Sequence, residues 1–148
     1  MLVPDARARL RRLLEYQARV EEEAKCRVQM LHARLERAQT RLQALREACE
    51  AASRPRGQGA VQQGAQLART QAYLERVRRD LQDQQTAVRR AELELQQARE
   101  QLTAAAQSRL ATERLLARED EASHGRQQSR EQQELDERAR LRHAQGAD

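Results

Sequence analysis

The feature that most constrains this chain is a run of apolar residues spaced alternately three and four positions apart. Its members are Val28, Leu31, Leu35, Ala38, Leu42, Leu45, Cys49 and Ala52. This alternation is the heptad pattern of a coiled-coil helix, in which one apolar stripe faces a partner helix. Aromatic side chains cannot thicken the stripe into a deep core, because the chain has two Tyr and neither Phe nor Trp. The pattern therefore predicts a thin seam between helices.

A second stripe follows a break in the helical pattern and repeats every seven residues. Its large members are Leu67, Leu74, Leu81, Val88, Leu95 and Leu102. The break, SRPRGQG, contains Pro55, Gly57 and Gly59, which interrupt a helix and permit a chain reversal. We therefore predict an all-α fold in which residues 1–148 form a single coiled-coil hairpin. Its first helix would span about 5–52, its loop about 53–64 and its second helix about 65–143.

An antiparallel hairpin folded about residue 58 would bring the two stripes together. The facing pairs would be Cys49 with Leu67, Leu42 with Leu74, Leu35 with Leu81, and Val28 with Val88. Because the first helix is shorter, the second helix would overhang it beyond about Ala117. A parallel homodimer is the alternative, although it would have to bridge the loop without disrupting either seam.

Both stripes are predicted to leave their heptad register toward the chain termini. In the first helix the register falls on Gln17 and Glu21, while the apolar residues fall at Leu13, Val20 and Ala24. In the second helix the apolar positions shift after Leu102 toward Leu110 and Leu116. Insertions of this kind locally unwind a supercoil. We expect the two discontinuities to lie at a similar level of the hairpin.

The charge pattern favours a solvated helical surface over a nucleic-acid site. The chain has 28 basic and 23 acidic residues and a formal charge of +5. The two signs are interleaved along the whole sequence, as on the exposed faces of coiled coils. No basic block alternates with aromatic residues that could stack on bases. A basic helix that binds nucleic acid is a minor alternative, and it would show steep salt dependence.

No catalytic, cofactor-binding or metal-binding constellation is apparent in the sequence. The histidines His32, His124 and His143 lie far apart and lack neighbours at metal-ligand spacing. The segment GQGAVQQG lacks the Lys-Ser/Thr of a phosphate-binding loop. Cys26 and Cys49 lie too far apart on one helix to form a disulfide. The N-terminus has no apolar signal core. We therefore predict a non-enzymatic, cytoplasmic protein.

The stretch REQQELDERARL, residues 130–141, has good helix formers but few residues to bury. Because the first helix ends before reaching it, we expect it to be unpaired within the chain and to bind a partner. The candidate partner-binding residues lie here and in an Arg pair near the N-terminus: Glu131, Glu134, Leu135, Asp136, Glu137, Ala139, Leu141, Arg11 and Arg12. Leu135, Ala139 and Leu141 would form a sparse docking stripe. Gly125 is a weak point before it, costing about 1 kcal/mol of helix stability.

Two stretches of the chain carry a family resemblance. RLRRLLEYQARVEEEA, residues 9–24, looks like a Leu–Arg opening followed by an acidic-Ala helix, and EQQELDERA, residues 131–139, is similar to a C-terminal signature. With the hairpin layout, they resemble the FliJ family of the flagellar export apparatus and its injectisome counterparts, the YscO/HrpO-type proteins. The sequence leaves open which of the two systems the chain serves.

The resemblance implies a non-enzymatic, monomeric central stalk, similar in fold to the coiled coil of the gamma subunit in rotary ATP synthases. Such a stalk inserts into the hexameric ring of the export ATPase and promotes its assembly and activity. It also contacts the export gate protein FlhA or the injectisome equivalent, and escorts empty export chaperones. It is peripheral to the inner-membrane export apparatus, without entering the membrane. The overhang and paired termini would enter the ring, and the hairpin end near 53–64 would face the gate. A generic coiled-coil tether or homodimeric scaffold is the alternative.

Overall fold

A computed structural model describes residues 3–54 and 64–146, which form two long helices. Helix α1 spans Val3–Ser53 and helix α2 spans Gly64–Gly146, and these described ranges contain no strand. The two helices pack against each other, which confirms the predicted all-α helical hairpin. The predicted turn residues Pro55, Gly57 and Gly59 lie outside the described residues.

Helix α1 ends where the heptad stripe ends. The Ser53 hydroxyl donates a hydrogen bond to the Cys49 carbonyl at 2.7 Å, and the Arg54 amide donates to the Glu50 carbonyl at 3.1 Å. The second bond satisfies one of the four carbonyls that a helix C-terminus otherwise leaves unpaired. The last turn of α1 carries no basic side chain that could offset the helix dipole.

The chain divides into two compact units, each built from parts of both helices. The loop-side unit is Glu23–Thr103, and the terminal unit combines Met1–Glu22 with Ala104–Asp148. In each unit, contacts join later residues of α1 to earlier residues of α2, so the two helical segments run antiparallel.

The core of the loop-side unit is a thin apolar seam centred on three residues. Leu31, Leu95 and Ala98 form its buried cluster, with only 3% of Leu95 exposed, and Val28 and Leu35 pack against them. The other buried members of the seam are Leu42, Val77, Val88 and Ala91. Burying a large aliphatic side chain stabilises a fold by about 2 kcal/mol. A handful of such residues therefore accounts for the pairing in this unit.

The predicted seam members are buried or half-buried with one exception, Leu67, which is 50% exposed. The reason is the alignment of the helices. Leu31 packs on Leu95. Ala52 lies 21 residues after Leu31, so in an antiparallel pair it lies opposite Leu74, which is 21 residues before Leu95. Leu67 therefore lies about two turns beyond the end of α1.

The predicted alignment of the two helices is wrong. Folding about residue 58 placed Leu35 opposite Leu81 and Val28 opposite Val88, whereas Leu35 and Val28 both pack on the Leu31–Leu95–Ala98 cluster. Helix α1 is displaced by about three to four turns toward the C-terminus of α2, since Leu31 meets Leu95 and Ala98 instead of residue 85. A physical reason is the size of the facing residues, since the small side chain of Ala98 lets the bulky Leu31 approach closely.

The predicted discontinuities near the termini are also wrong. In the terminal unit Gln17 is half-buried and Glu21 is 7% exposed, while Leu13 faces solvent. On α2, Thr112 is 4% exposed and Leu110 is exposed. The heptad register thus continues through polar residues and leaves the off-register leucines outside. The apolar pattern failed as a guide at Glu21 because its carboxylate binds Arg109 across the seam.

The packed part of the terminal unit ends at Ser123, and α2 continues alone beyond it. Asp120 and Ser123 are half-buried and both bind Arg7, whereas residues 124–146 are all exposed. Pairing therefore reaches about two turns beyond Ala117, where the overhang was predicted to begin. The helix runs through Gly125 without a break.

Changing Leu95 to Asp should melt much of the helical structure of the loop-side unit. An unpaired carboxylate would enter a seam that is almost closed to water, at a cost of several kcal/mol. Leu93→Asp is the matched control, because Leu93 lies two residues away and is 65% exposed. Circular dichroism during urea unfolding should show a lowered midpoint for Leu95→Asp alone. Equal losses in both variants would contradict the described seam.

Changing Gly125 to Ala should stiffen the unpaired tail. A Cβ at this position meets no atom within 4 Å, so the substitution costs nothing sterically and gains about 1 kcal/mol of helix propensity. Amide exchange around residue 125 should slow several-fold. Gly64→Ala is the control, because its site is equally open but begins α2, where propensity counts for little. Unchanged exchange near residue 125 would show that this glycine is not in a helix interior.

Candidate partner-binding surface

The helical tail of residues 124–146 is a long surface that lies open to solvent. Its 23 residues extend α2 by about 34 Å at 1.5 Å per residue, and every one of them is exposed. Among its polar groups, the Gln132 amide donates a hydrogen bond to the Asp136 carboxylate at 3.2 Å. An isolated helix of this length and polarity is stable only marginally by itself. Every face of the tail is therefore open to contact with other molecules.

The predicted apolar stripe of the tail is narrower than expected. Leu135 and Ala139 share a face, because they are four residues apart in a continuous helix. Leu141 is six residues from Leu135 and points about 120° away from it. Both leucines are mostly exposed, Leu135 at 58%. Leu135 is thus the single large apolar anchor of its face, and Glu131, one turn earlier, borders it.

The opposite side of the tail is a charged helix face. It combines acidic and basic side chains: Arg130, Gln133, Glu134, Asp136, Glu137 and Arg140. Arg130 with Glu134 and Asp136 with Arg140 have the four-residue spacing that places opposite charges side by side on a helix. Leu141 falls on this side, four residues after Glu137. The predicted acidic residues therefore divide between two faces instead of forming one cluster.

The structure keeps the predicted Arg pair apart from the tail. Arg11 and Arg12 are exposed on α1. Arg7, one turn before them, already reaches Asp120 and Ser123, and the antiparallel direction carries Arg11 and Arg12 toward earlier residues of α2. Glu131 lies 11 residues beyond Asp120 (131 − 120), or roughly 16 Å along the helix. The arginines and the tail acids are therefore separate surfaces.

Sequence reasoning missed a polar seam within the terminal unit. The Arg109 guanidinium donates to the Glu21 carboxylate and, at 2.6 Å, to the Glu113 carboxylate. The side chain of Glu21 is nearly buried, and that of Arg109 is about a quarter exposed. The hydrogen bond to Glu21, followed by the one to Glu113, raises the pKa of Arg109 above its ordinary value. Arg109 therefore remains charged and bridges the two helices.

A second polar layer lies nearer the N-terminus. Arg7 donates to the Asp120 carboxylate and to the Ser123 hydroxyl, the latter at 3.3 Å. The Nε of Arg7 and the Oε1 of Gln17 are buried and have no hydrogen-bond partner among the described residues. The heptad register of the sequence does place polar residues at the core positions of these layers. The heptad register extended from Val28 falls on Gln17 and Glu21, and extended from Leu102 it falls on Arg109.

The described residues contain no group of three His, Cys, Asp or Glu side chains placed to hold a metal ion. Nor is any helix in the described ranges long and apolar enough to cross a membrane.

The family model described as "Flagellar FliJ protein" matches residues 6–148. The match spans both helices, the polar seam and the exposed tail. No curated protein and no solved structure matches the chain. Members of this family are non-catalytic components of flagellar protein export and associate with the export machinery. Because the match covers nearly the whole chain, this protein belongs to the FliJ family of flagellar export components.

Proposed function

We propose that this protein is the central stalk of the flagellar export apparatus, working at its cytoplasmic side next to the inner membrane. The terminal unit, with its overhanging tail, inserts into the hexameric ring of the export ATPase and promotes ring assembly and ATP turnover. The loop-side unit points toward the export gate, a protein of the FlhA type, and links the ring to it. The stalk itself performs no chemistry.

The observation that carries this proposal is the tail of residues 124–146. A helical extension whose residues are all exposed is maintained for contact with something else, since by itself it adds little stability. Its sparse apolar content lets it meet several different subunits without adhering to any of them. Leu135 supplies one anchor, and the mixed charges around it supply polar contacts that differ from face to face.

The loop-side unit offers a different surface, which supports a separate partner at that end. Its apolar side chains outside the seam include Leu67 and Tyr73, both substantially exposed near the start of α2. Such residues anchor protein contacts more strongly than charged ones. We assign the gate contact to this region, and the same exposed helices would let the stalk escort empty export chaperones.

Changing Leu135 to Asp should weaken binding to the purified export ATPase by at least about tenfold while leaving the hairpin folded. The anchor would become a charge that must be desolvated at the interface, but Leu135 takes no part in the packing of its own chain. Ser129→Asp adds the same charge on another face of the exposed tail and serves as the control. Binding is measured by interferometry, helicity by circular dichroism, and stimulation by the rate of ATP hydrolysis.

Two outcomes would contradict the stalk assignment. The first is a wild-type protein that changes neither the turnover nor the hexamer assembly of its cognate ATPase. The second is a stable homodimer in light scattering whose formation requires the tail, which would favour a homodimeric scaffold. Equal effects of Leu135→Asp and Ser129→Asp would instead remove Leu135 as the anchor while leaving the stalk assignment standing.

A further inference from the structure

The two units differ in what they bury. In the described part of the loop-side unit every buried residue is Leu, Val or Ala. In the described part of the terminal unit the buried residues are Glu21 and Thr112. Its apolar seam residues, such as Leu10, Leu14 and Leu116, are only half-buried. Polar groups therefore occupy the innermost positions where the first 20 or so residues of α1 meet α2.

Two layers of charge join the helices in the terminal unit. In one, Arg109 bridges Glu21 of α1 and Glu113 of its own helix. In the other, Arg7 of α1 binds Asp120 and Ser123 of α2. The Thr112 hydroxyl donates to the Ser108 carbonyl at 3.1 Å within α2, so it fills its buried position without binding α1. The hydrogen bonds that Arg7 and Arg109 make across the helices in this unit are thus charge-assisted.

Charges hold a seam less firmly than apolar side chains of the same volume. The free energy needed to remove a carboxylate and a guanidinium from water offsets most of their mutual attraction. Replacing such a pair by apolar residues is therefore often neutral or stabilising. The buried Nε of Arg7 and Oε1 of Gln17, which lack partners among the described residues, add a further cost. The partly exposed layer of Arg7 and Asp120 is also open to screening by salt.

We propose that these two layers form a charge latch, which holds residues 3–22 of α1 on α2 and lets that segment separate while the loop-side unit stays paired. Separation would uncover Leu10, Leu14 and Leu116 and free the carboxylates of Glu21 and Asp120 from their arginines. Salt, or a partner that competes for Arg7 and Arg109, opens the latch. This property goes beyond the stalk assignment and does not depend on it.

Amide hydrogen exchange of the full-length chain, read by mass spectrometry at low and high salt, tests the latch. In the wild type, seam amides of residues 7–21 and 105–120 should exchange at least about tenfold faster than those of residues 28–49 and 77–98, and added salt should widen the gap. In Glu21→Leu/Arg109→Leu the seam of the terminal unit becomes apolar. Its amides should then slow by at least about tenfold, with a smaller response to salt.

Two further variants separate a latch from ordinary fraying of helix ends. Glu21→Leu alone leaves Arg109 without its acceptor on α1, and it should speed exchange in the terminal unit. Arg34→Leu/Glu94→Leu removes a cross-helix ion pair of 3.7 Å that lies on the exposed flank of the loop-side unit, and it should leave the terminal unit unchanged. The latch is refuted if wild-type residues 7–21 exchange as slowly as residues 28–49. It is refuted equally if Glu21→Leu/Arg109→Leu fails to slow them.

Discussion

The alignment of α1 on α2 at the Leu31–Leu95–Ala98 cluster is the constraint on which the rest of the loop-side unit depends. Two antiparallel heptad helices can slide past each other by seven residues and still place apolar residues against apolar residues. What distinguishes one alignment from the next is the fit of large and small side chains. Leu31 meets Ala98 here, and the close approach leaves Leu95 almost fully buried. Each heptad of sliding would move the end of pairing by about 10 Å.

Polar residues restrict the alignment further. In the terminal unit, sliding α1 by one heptad would place the Glu21 carboxylate near Leu116 instead of Arg109. A buried carboxylate without its cation is strongly unfavourable. In the loop-side unit, Gln84 donates to the Ala38 carbonyl across the seam at 3.0 Å, a contact that the same slide would break. These polar contacts make the alignment of the two helices specific but reduce the apolar area that the seam buries. A single polar residue at a coiled-coil core position has the same effect.

The sequence was sufficient to predict the helices and the hairpin, because these follow from local periodicity. Leu31, Leu42, Val88 and Leu95 are buried as their spacing indicates. The alignment was not predictable in the same way, since a heptad repeat matches itself after every seven residues. The polar seam was missed for a different reason. Glu21 and Arg109 occupy core positions only because each satisfies the other, and that pairing depends on residues 88 positions apart.

The overhang of α2 follows, as predicted, from the shorter length of α1, but it begins later than the predicted residue, Ala117. Because α1 sits further along α2 than expected, Asp120 and Ser123 belong to the pairing, and the described residues beyond them, 124–146, are all exposed. Apolar burial therefore decreases in three stages: a loop-side seam of Leu, Val and Ala, a terminal seam held by ion pairs, and a tail that buries nothing. Each stage buries less apolar surface against its own chain than the one before, so burial against a partner would add more to its stability. In a member of a flagellar export family, such an order leaves the least apolar burial at the terminal end, where contact with a partner would add the most stability.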